Sequence, residues 1–486
     1  MAGVFALLGV VACVHAADKK PNIVFILADN MGYGDTGVYG GGELRGAPTP
    51  RIDQLAAEGL RLTQFLVEPG CTPSRAGLMT GRYSIRSGLS LIGVAGSPNS
   101  LPATEITMAE MLYDAGYATA IFGKWHLGDQ TYSLPQNQGF DEFYGIPPNA
   151  TWDAFLEIPQ GGQTKTLDIP LDKGPQIFES RRGEPLKTVK PYTEEVRRDI
   201  DWELVDRGTD FMQRQKAAGK PFFLYLPISR THFPNLPSKR FEGQSRIGQF
   251  GDSLMEGDAL VGKVIDSLKE LGLENDTIVV FASDNGPQGE VVREFGRDMP
   301  DMGSPGPFRG ELGDASEGSI RTAAMIRWPG HIRQGSTYAM FSIMDFYPTL
   351  AHLAGGKVPD DRPFDGVDQT DLLLGKSDTG ARDSLLSFVG PDLVAVRWKQ
   401  FRTYFVDMAP GRSGWGGAHL QPGTGSSAAP MNGYPMVFNI ESDPREEHNI
   451  AALYEWELGP ALKVVGEYKA SLKKYPNPPA ANITRF

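Results

Sequence analysis

The most regular pattern along the chain is a set of short apolar runs that end abruptly in polar residues. Residues 22–28 and 277–283 are rich in β-branched side chains and contain no charge. A continuous apolar run of this length predicts a strand that is buried on both faces, as in a parallel sheet. Residues 118–122 and 221–226 are also apolar and uncharged, and they predict two further strands.

Segments with helical patterns lie between these runs. Residues 49–59 begin with Thr49, which suits an N-cap, continue with a proline at the first helical position and end at Gly59. Residues 109–115 and 254–271 predict further helices. Strands that alternate with helices predict an α/β fold with a large, mostly parallel central sheet flanked by helices.

The last part of the chain has a different pattern. Residues 393–399 and 436–440 predict antiparallel strands, and a helix follows them. A segment rich in Gly, Asp and Pro, around residues 355–380, separates this part from the rest. We therefore predict a large N-terminal domain over residues 17–380 and a smaller C-terminal α+β subdomain with an antiparallel sheet over residues 381–486.

Length and composition are those of an ordinary globular protein. The chain has 486 residues, of which 40% are hydrophobic and 22% charged, enough for one large domain and a smaller one. Its formal net charge of −12 argues against a nucleic-acid-binding protein, because no basic stripe is available for phosphates. A site for an anionic substrate must therefore be locally positive.

The polar residues 136–196, rich in Gly and Pro, predict a long excursion that shapes a cleft.

The amino terminus predicts an exported protein. Residues 4–14 form an apolar run that is too short to span a bilayer, and residues 14–16 match a small-x-small cleavage site. A secretory signal peptide over residues 1–16 is predicted, with a secreted or periplasmic location. Residues 10–13 also resemble a bacterial lipobox, so a lipoprotein anchor is the alternative. No later segment is apolar enough to predict a transmembrane span.

Two of the apolar runs end in the same pair of residues. Asp29 and Asn30 follow the first run, and Asp284 and Asn285 follow the run at 277–283. Because the carboxyl ends of parallel strands meet at one sheet edge, four oxygen-donor side chains are predicted there. Carboxylate and amide oxygens suit a hard divalent cation, Ca²⁺ or Mg²⁺. The alternative is that these residues only begin the turns after two strands.

Cys71 lies in the segment Pro-Gly-Cys-Thr-Pro-Ser-Arg at 69–75, which predicts the start of a helix. Pro73 suits a first turn, and the unpaired backbone N–H groups there favour negative charge. With Arg75 one turn on, we expect a stabilised thiolate or an anionic adduct at Cys71. Removal of the signal peptide leaves Cys71 as the only cysteine, so no internal disulfide is possible. The alternative is a small buried cysteine at a helix start.

The core Cys-Thr-Pro-Ser-Arg at 71–75, followed by Thr-Gly-Arg at 80–82, resembles the signature of the type I sulfatases of the alkaline phosphatase superfamily. In that family the cysteine is converted after translation to formylglycine, the catalytic nucleophile. The resemblance extends from about residue 21 to the C-terminus. It implies an arylsulfatase-like hydrolase of small-molecule or carbohydrate sulfate esters. It also implies Ca²⁺ as the metal, with Mg²⁺ as the alternative, and a formylglycine-generating enzyme as the maturation partner.

The resemblance also assigns roles to residues. Lys124 binds the sulfate, and Arg75 and the metal favour the alkoxide of hydrated formylglycine, which attacks sulfur. His232 contacts the sulfate and protonates the leaving group, while His126 contacts the formylglycine and is the base that releases the sulfated intermediate. Histidine suits such work because its pKa lies near neutral pH. The metal ligands implied by the family are Asp29, Asn30, Cys71, Asp284 and Asn285.

The chain departs from the family pattern at two positions. Asn30 stands where the family usually has a second aspartate, and Leu312 stands where many members carry a second sulfate-binding lysine. These changes remove one negative and one positive charge, which favours a working variant, and Arg309 is a candidate for the missing cation. The alternatives are a phosphate- or phosphonate-ester hydrolase of the same superfamily and an inactive secreted protein that binds sulfated glycans.

Overall fold

The structure, a computed structural model, describes residues 19–93, 98–147, 156–157, 165–166, 174–288, 303–408, 428–430 and 433–479. The predicted signal peptide lies outside the described residues. The strands are β1 (Asn22–Ala28), β2 (Leu60–Leu66), β3 (Ala118–Lys124), β4 (Glu142–Ile146), β5 (Leu156–Glu157), β6 (Lys165–Thr166), β7 (Gln176–Arg181), β8 (Lys187–Pro191), β9 (Phe222–Pro227), β10 (Thr277–Ser283), β11 (Ala324–Arg327), β12 (Gly335–Ser342), β13 (Ser384–Val389), β14 (Asp392–Trp398), β15 (Phe401–Tyr404), β16 (Val406–Met408), β17 (Ala428–Pro430) and β18 (Met436–Asn439). The α-helices are α1 (Pro50–Glu58), α2 (Cys71–Thr80), α3 (Met108–Asp114), α4 (Glu194–Ala218), α5 (Gly248–Glu270), α6 (Glu317–Ile320), α7 (Phe346–Ala354), α8 (Thr370–Leu373) and α9 (Leu458–Ser471).

A ten-stranded sheet forms the centre of the molecule, with the strand order β12-β2-β11-β10-β1-β9-β3-β4-β7-β8. The neighbours from β10 to β4 in this order run parallel to one another. Antiparallel pairs extend the sheet on both sides of this parallel centre. The predicted α/β fold with a large, mostly parallel central sheet is confirmed.

Strand β1 shows why the apolar runs become central strands. Ile23, Phe25 and Leu27 pack into the hydrophobic core on one face of the sheet. Val24 and Ile26 pack into the core on the other face. Burial of each such side chain contributes about 1.5–3 kcal/mol relative to exposure. An apolar residue at every position is therefore what a strand covered on both faces requires, and β1 and β10 have the predicted ends.

Helices cover both faces of the large sheet. α1, α4 and α5 contribute to the core on one face, and α2, α3 and α7 to the core on the other. α1 begins at Pro50 and ends before Gly59, as predicted, but the Thr49 side chain makes no capping hydrogen bond and accepts one from Gly37 N instead. α5 begins at Gly248, earlier than the predicted start at residue 254. Within the described ranges, no helix combines the length and the apolar character needed to cross a membrane.

A second, four-stranded sheet lies in the last part of the chain, with the order β13-β14-β15-β18. All of its neighbouring strands are antiparallel. β14 and β18 are the two strands that the sequence predicts here, and β15 lies between them. The predicted antiparallel C-terminal sheet is thus confirmed, while the domain boundary at residues 380 and 381 stays a prediction.

The polar segment 136–196 contributes strands that the sequence pattern does not predict. β4 pairs in parallel with β3, and β7 and β8 then extend the sheet edge in antiparallel fashion. β7 and β8 carry exposed or half-buried residues at most positions. An edge strand with one solvated face has no continuous apolar run, so its sequence resembles that of a loop.

Candidate active site

The candidate active site lies at the carboxyl ends of the central parallel strands. β1 and β10 pair in register, with Ala28 beside Ser283. Asp29 and Asp284 therefore follow as neighbours, and Asp284 N donates to Ala28 O at 3.1 Å. The helix α2 begins at Cys71, as predicted. The ends of three separate elements thus meet at one edge of the sheet.

Four of the five predicted metal ligands lie together and are buried, and we call them the oxygen cluster: Asp29, Asn30, Asp284 and Asn285. Asn285 Nδ2 donates to Asn30 Oδ1 at 2.7 Å, and Asn30 N donates to Asp284 Oδ1 at 3.2 Å. Cys71 Sγ is 3.4 Å from Asp29 Oδ1 and 3.5 Å from Asn30 Oδ1. The predicted meeting of the two Asp-Asn pairs therefore occurs, while metal binding by these residues stays a prediction.

The oxygen cluster fits a hard divalent cation. Asn285 Oδ1 is buried without a hydrogen-bond partner among the described residues, and an ion beside it would satisfy this oxygen. Asp29, Cys71 and His232 each offer one ligand atom within 4.8 Å of the others. Carboxylate and amide oxygens are ligands that Ca²⁺ and Mg²⁺ prefer. The donors present therefore suit the metal that the family resemblance implies, and His232 borders the same space.

Two buried cations contact the carboxylates of the oxygen cluster. Arg75 donates to Asp284 Oδ2 through Nε at 3.0 Å and through Nη2 at 2.8 Å, and Nη2 is 3.3 Å from Asp29 Oδ2. Lys124 Nζ donates to Asp29 Oδ2 at 2.7 Å. Two carboxylates and two cations leave this group of side chains without net charge. Arg75 also donates to Lys124 O at 2.9 Å, so one guanidinium ties together β1, β3 and β10.

Lys124 reaches the site because β3 approaches the end of β9 closely. Gly123 has φ of +137°, and a Cβ atom at this position would lie 2.2 Å from Pro227 O. Any side chain would therefore clash with the backbone of the neighbouring strand, and the backbone conformation itself favours glycine. Gly123 thus permits the close approach that places Lys124 beside Asp29.

The pKa values of the two carboxylates in the oxygen cluster are shifted in opposite directions. Burial alone would raise the pKa of Asp29, but Lys124 and Arg75 hold it below its ordinary value. The pKa of Asp284 is raised, because burial and the negative charge of Asp29 both oppose its ionised form. A bound divalent cation would favour the ionised form of both groups.

The prediction of a stabilised thiolate at Cys71 is wrong. Burial and the neighbouring Asp29 raise the pKa of the thiol well above its ordinary value, and Lys124 and Arg75 do not offset this. Arg75 is less effective than the sequence suggests because its guanidinium donates to Asp284 and Asp29. The thiolate is the nucleophilic form of cysteine, so an unmodified Cys71 is a poor nucleophile here.

His126 lies just beyond β3 and does not continue its extended conformation. Its φ is +60°, so the spacing from Lys124 does not follow strand alternation. His126 Nε2 donates to Gly93 O at 3.0 Å, and Nδ1 is buried without a partner in the described part of the chain. Burial, reinforced by Lys124, lowers the pKa of His126 well below its ordinary value. His126 is therefore a neutral imidazole with its lone pair on Nδ1.

His232 lies in the loop after β9 and borders the site. Its Nδ1 donates to Phe233 O, which fixes the ring and leaves Nε2 as the nitrogen that gains or loses a proton. Burial lowers the pKa of His232 to about 4, although Asp29 acts in the opposite direction. In the free protein, His232 is therefore neutral at pH 7.

Arg309 and Leu312 lie on a loop beside the site. Arg309 Nη2 donates to Glu446 Oε2 at 3.0 Å, and Nη1 is 3.3 Å from Glu446 O. Leu312 is buried, and its N–H donates to Pro287 O at 2.9 Å. The structure thus directs Arg309 toward Glu446 and not toward the oxygen cluster. Its role in sulfate binding stays a prediction that requires the guanidinium to change partners.

Sequence reasoning missed Gly93, Arg197 and Asp201. The Gly93 carbonyl fixes the tautomer of His126, and a backbone carbonyl has no sequence signature. Arg197 and Asp201 hold the loop that carries His232. A signal for them existed, because both fall among the buried positions of α4 together with its apolar residues.

Comparisons with known proteins agree with this site. The Sulfatase family model matches residues 21–356. The chain is 36% identical over 476 residues to arylsulfatase A of Bos taurus, covering 96% of this chain and 90% of the relative. It is 34% identical over 525 residues to steryl-sulfatase of Homo sapiens, covering 93% of this chain and 88% of the relative.

Among solved structures, the PsFucS1 sulfatase from Pseudoalteromonas sp. has a TM-score of 0.82 and 32% identity. The match covers 94% of this chain and 92% of that chain. The family match includes the elements that carry the oxygen cluster, Cys71 and both histidines. The chain therefore belongs to the sulfatase family and is a sulfuric ester hydrolase.

Proposed function

We propose that this protein hydrolyses sulfate esters with formylglycine, formed from Cys71, as its nucleophile and with one divalent cation at the oxygen cluster. The observation that carries the proposal is the position of Cys71, whose Sγ lies 3.4 Å from Asp29 Oδ1 and 3.5 Å from Asn30 Oδ1. A buried neutral thiol is a poor nucleophile, although it occupies the centre of the site. Conversion to a hydrated aldehyde supplies hydroxyl groups at the same point.

The cation, when bound, supplies positive charge that favours ionisation of a hydroxyl group and neutralises sulfuryl oxygens. Lys124 adds a fixed ammonium group, already held 2.7 Å from Asp29 Oδ2. Arg75 keeps Asp29 and Asp284 in place through its hydrogen bonds. Charges that are in place before reaction stabilise a transition state without reorganisation. Ca²⁺ is the proposed ion and Mg²⁺ the alternative.

His232 is the proposed general acid. The hydrogen bond from Nδ1 to Phe233 O makes Nε2 the atom that delivers a proton to the departing oxygen. The pKa of about 4 means that the free protein holds a neutral ring at pH 7. A sulfate ester brings a negative charge beside the ring, which favours the protonated form. Substrate binding and protonation of His232 are thus coupled.

His126 is the proposed base for release of the enzyme-bound sulfate. Its Nε2–H donates to Gly93 O, so the Nδ1 lone pair is available to accept a proton. The lowered pKa of His126 keeps the ring neutral at pH 7. A neutral imidazole can act as a base, whereas an imidazolium cannot.

The test of the nucleophile combines an assay with peptide mass spectrometry. Protein matured by a formylglycine-generating enzyme should hydrolyse aryl sulfates faster than the matching phosphate esters. The peptide that contains residue 71 should carry the aldehyde in active protein. Active protein with only unmodified cysteine would contradict the nucleophile, and a preference for phosphate or phosphonate esters would favour the other hydrolases of the superfamily. Absence of turnover in matured, metal-loaded protein would favour an inactive glycan-binding protein.

The acid is tested by comparing leaving groups. His232→Ala should slow hydrolysis of a sugar or alkyl sulfate by roughly 10²–10⁴-fold, the usual contribution of general acid catalysis. It should slow hydrolysis of nitrophenyl sulfate much less, because nitrophenolate leaves without a proton. His126→Ala should impair both substrates alike when release limits turnover. Equal slowing of both substrates by His232→Ala would assign that residue to binding instead.

The substrate class and the location belong to the same proposal. Relatives carry names that refer to aryl, steryl and N-acetylgalactosamine sulfates. We therefore propose a small-molecule or carbohydrate sulfate ester, to be identified by a screen of both classes against the matured protein. Export through the predicted signal peptide can be checked by sequencing the amino terminus of the mature protein.

A further inference from the structure

Helix α4 carries two buried charged residues on the face that packs against the sheet. Arg197 and Asp201 are one helical turn apart and are 1% and 0% exposed. They alternate with Ile200 and Leu204, which contribute to the hydrophobic core. Buried charged groups cost free energy unless they are paired and hydrogen-bonded. Their partners therefore indicate what they do.

Both side chains bind the loop that carries His232. Asp201 accepts hydrogen bonds from Ser229 N at 3.0 Å and from Ser229 Oγ at 2.7 Å. Arg197 Nη2 donates to Ser229 O at 3.1 Å and is 3.4 Å from His232 O. His232 N also donates to Ser229 O at 3.0 Å, which closes a turn between the two residues. One residue of α4 thus fixes the start of the turn, and the other spans both of its ends.

The opposite side of this turn is fixed to the oxygen cluster. Thr231 N donates to Asp29 O at 2.7 Å, and Asp29 N donates to Arg230 O at 2.9 Å. Arg230 is buried and paired with Asp201 at 3.3 Å. The turn is therefore held between α4 and the strand end that supplies Asp29. Movement of α4 side chains at this point displaces His232 relative to the oxygen cluster.

We propose that Arg197 and Asp201 are positioning residues that hold His232 in the orientation needed for proton transfer. The inference rests on the proposed function of His232 as the acid. The Arg197 guanidinium acts on the carbonyl of His232 itself, and the His232 ring is tied in turn to Phe233 O. Without the guanidinium, the His232 carbonyl loses this hydrogen bond, and the ring is no longer held in a fixed orientation. Catalytic proton transfer falls steeply when the donor is misplaced by about 1 Å.

The test is a double-mutant cycle measured with two substrates. Arg197→Gln should slow a sugar or alkyl sulfate by about 10–100-fold, as outer residues that orient a functional group do. It should slow nitrophenyl sulfate much less. In the His232→Ala background, Arg197→Gln should cause little further loss, because the residue acts through His232. Arg197→Lys, which keeps the positive charge and N–H donors but not the planar guanidinium, should restore part of the lost rate.

Arg207→Gln is the matched control on the same helix. Arg207 contacts Glu203 and not the His232 loop, so its removal should leave the ratio of the two rates unchanged. If Arg197→Gln does not fold, Asp201→Asn serves in the same cycle. The inference is overturned if the rate losses from Arg197→Gln and His232→Ala are fully additive. It is also overturned if Arg197→Gln slows both substrates equally while His232→Ala slows mainly the sugar or alkyl sulfate. A wild-type protein that hydrolyses neither ester, or a His232→Ala variant without leaving-group selectivity, contradicts the proposed function instead.

Discussion

The oxygen cluster and a second buried cluster around Glu317 both hold charged side chains inside the molecule. Glu317 Oε1 accepts from Arg397 Nη1 at 2.7 Å and from Arg321 Nη1 at 3.3 Å. Glu317 Oε2 accepts from Arg402 Nη1 at 3.3 Å. Through these bonds, the helix α6 is joined to β14 and β15 of the C-terminal sheet. We call these four residues the Glu317 cluster.

The two clusters differ in what they leave without a partner. In the Glu317 cluster, no side-chain polar atom is buried without a hydrogen bond inside the described ranges. At the active site, Asn30 Nδ2, Asn285 Oδ1 and His126 Nδ1 are buried and lack partners among the same residues. Buried polar groups are normally satisfied, and these three atoms lie beside the candidate metal site, where a bound ion or substrate would contact them. The hydrogen bonds of the Glu317 cluster are complete, as in a network that stabilises the fold. The candidate active site instead keeps polar atoms to which a ligand can bind.

The largest effect should come from removing the nucleophile. Cys71→Ala should lower turnover of any sulfate ester by about 10⁶-fold, the order seen when a covalent nucleophile is lost. The melting temperature should change by only a few degrees, because the substitution removes a single buried sulfur atom and breaks no ion pair. Steady-state kinetics and thermal unfolding measure the two quantities. Thr80→Ser, at the other end of α2, should keep activity, and a Cys71→Ala variant that retains turnover would contradict the assignment.

Metal removal should have the next largest effect. Dialysis against a chelator should lower activity by roughly 10³–10⁴-fold, because a bound cation supplies several kcal/mol of charge stabilisation. Addition of Ca²⁺ should restore activity and raise the melting temperature, since a ligand of the folded state stabilises it. Asn285→Leu should weaken both the recovery of activity and the rise in melting temperature on addition of Ca²⁺. Elemental analysis that finds no stoichiometric divalent ion in active enzyme would rule out the metal site.

Glu317→Gln should affect stability and spare the chemistry. Removing one partner from a buried ion pair typically costs about 3–5 kcal/mol, because the remaining charges stay buried. The free energy of unfolding should fall by this amount, while turnover per folded molecule stays unchanged. Glu467→Gln, which breaks an exposed pair with Lys463, should change stability by no more than about 0.5 kcal/mol. Lost turnover without lost stability would reverse the roles assigned to the two clusters.

The Glu317 cluster should also set part of the pH dependence of stability. Burial opposes ionisation of Glu317, but Arg397, Arg321 and Arg402 outweigh it and lower its pKa from 4.5 to about 2. A depressed pKa stabilises the folded state above pH 4.5, and this contribution is lost as the pH falls toward 2. The difference is worth about 3 kcal/mol. The gap in unfolding free energy between wild type and Glu317→Gln should therefore shrink below pH 4.5, and a constant gap would refute the linkage.

The smallest effect should come from restoring the missing lysine. Leu312→Lys should lower KM for a sulfate ester by up to about tenfold, or about 1.4 kcal/mol, because a cation is added beside the site. It should also lower stability, since residue 312 is buried and a charge there loses hydration. Leu312→Met is the uncharged control of similar size. An unchanged KM in the lysine variant would mean that Leu312 lies out of reach of the sulfate.

Much of the fold and part of the site follow from the sequence, because they depend on local patterns. The apolar runs gave the ends of β1 and β10, and the Asp-Asn pair after each run led to the oxygen cluster. The raised pKa of Cys71 could not be predicted from the sequence, because it depends on the burial of the thiol together with Asp29 and Arg75. Burial and charge neighbours are properties of the assembled fold.

Contacts between distant segments explain the remaining differences. Arg309 binds Glu446, which lies 137 positions further along the chain, and no local sequence pattern indicates such a partner. The conformation of His126 depends on Gly93, a residue without a polar side chain. The strands β7 and β8 were not predicted because many of their residues are exposed or half-buried, so neither has a continuous apolar run. In each case the deciding interaction is long-range or involves the backbone.

The burial of Cys71 has a consequence for the order of events in the cell. The side chain is only 3% exposed and begins a helix whose residues are all buried. A modifying enzyme must take the segment around residue 71 into its own active site, and the finished fold does not present it. Under the proposed conversion of Cys71 to formylglycine, oxidation therefore precedes folding, and the two processes compete in time. The same proposal predicts that chains that fold first stay inactive, and that the yield of active enzyme depends on the supply of modifying enzyme during synthesis.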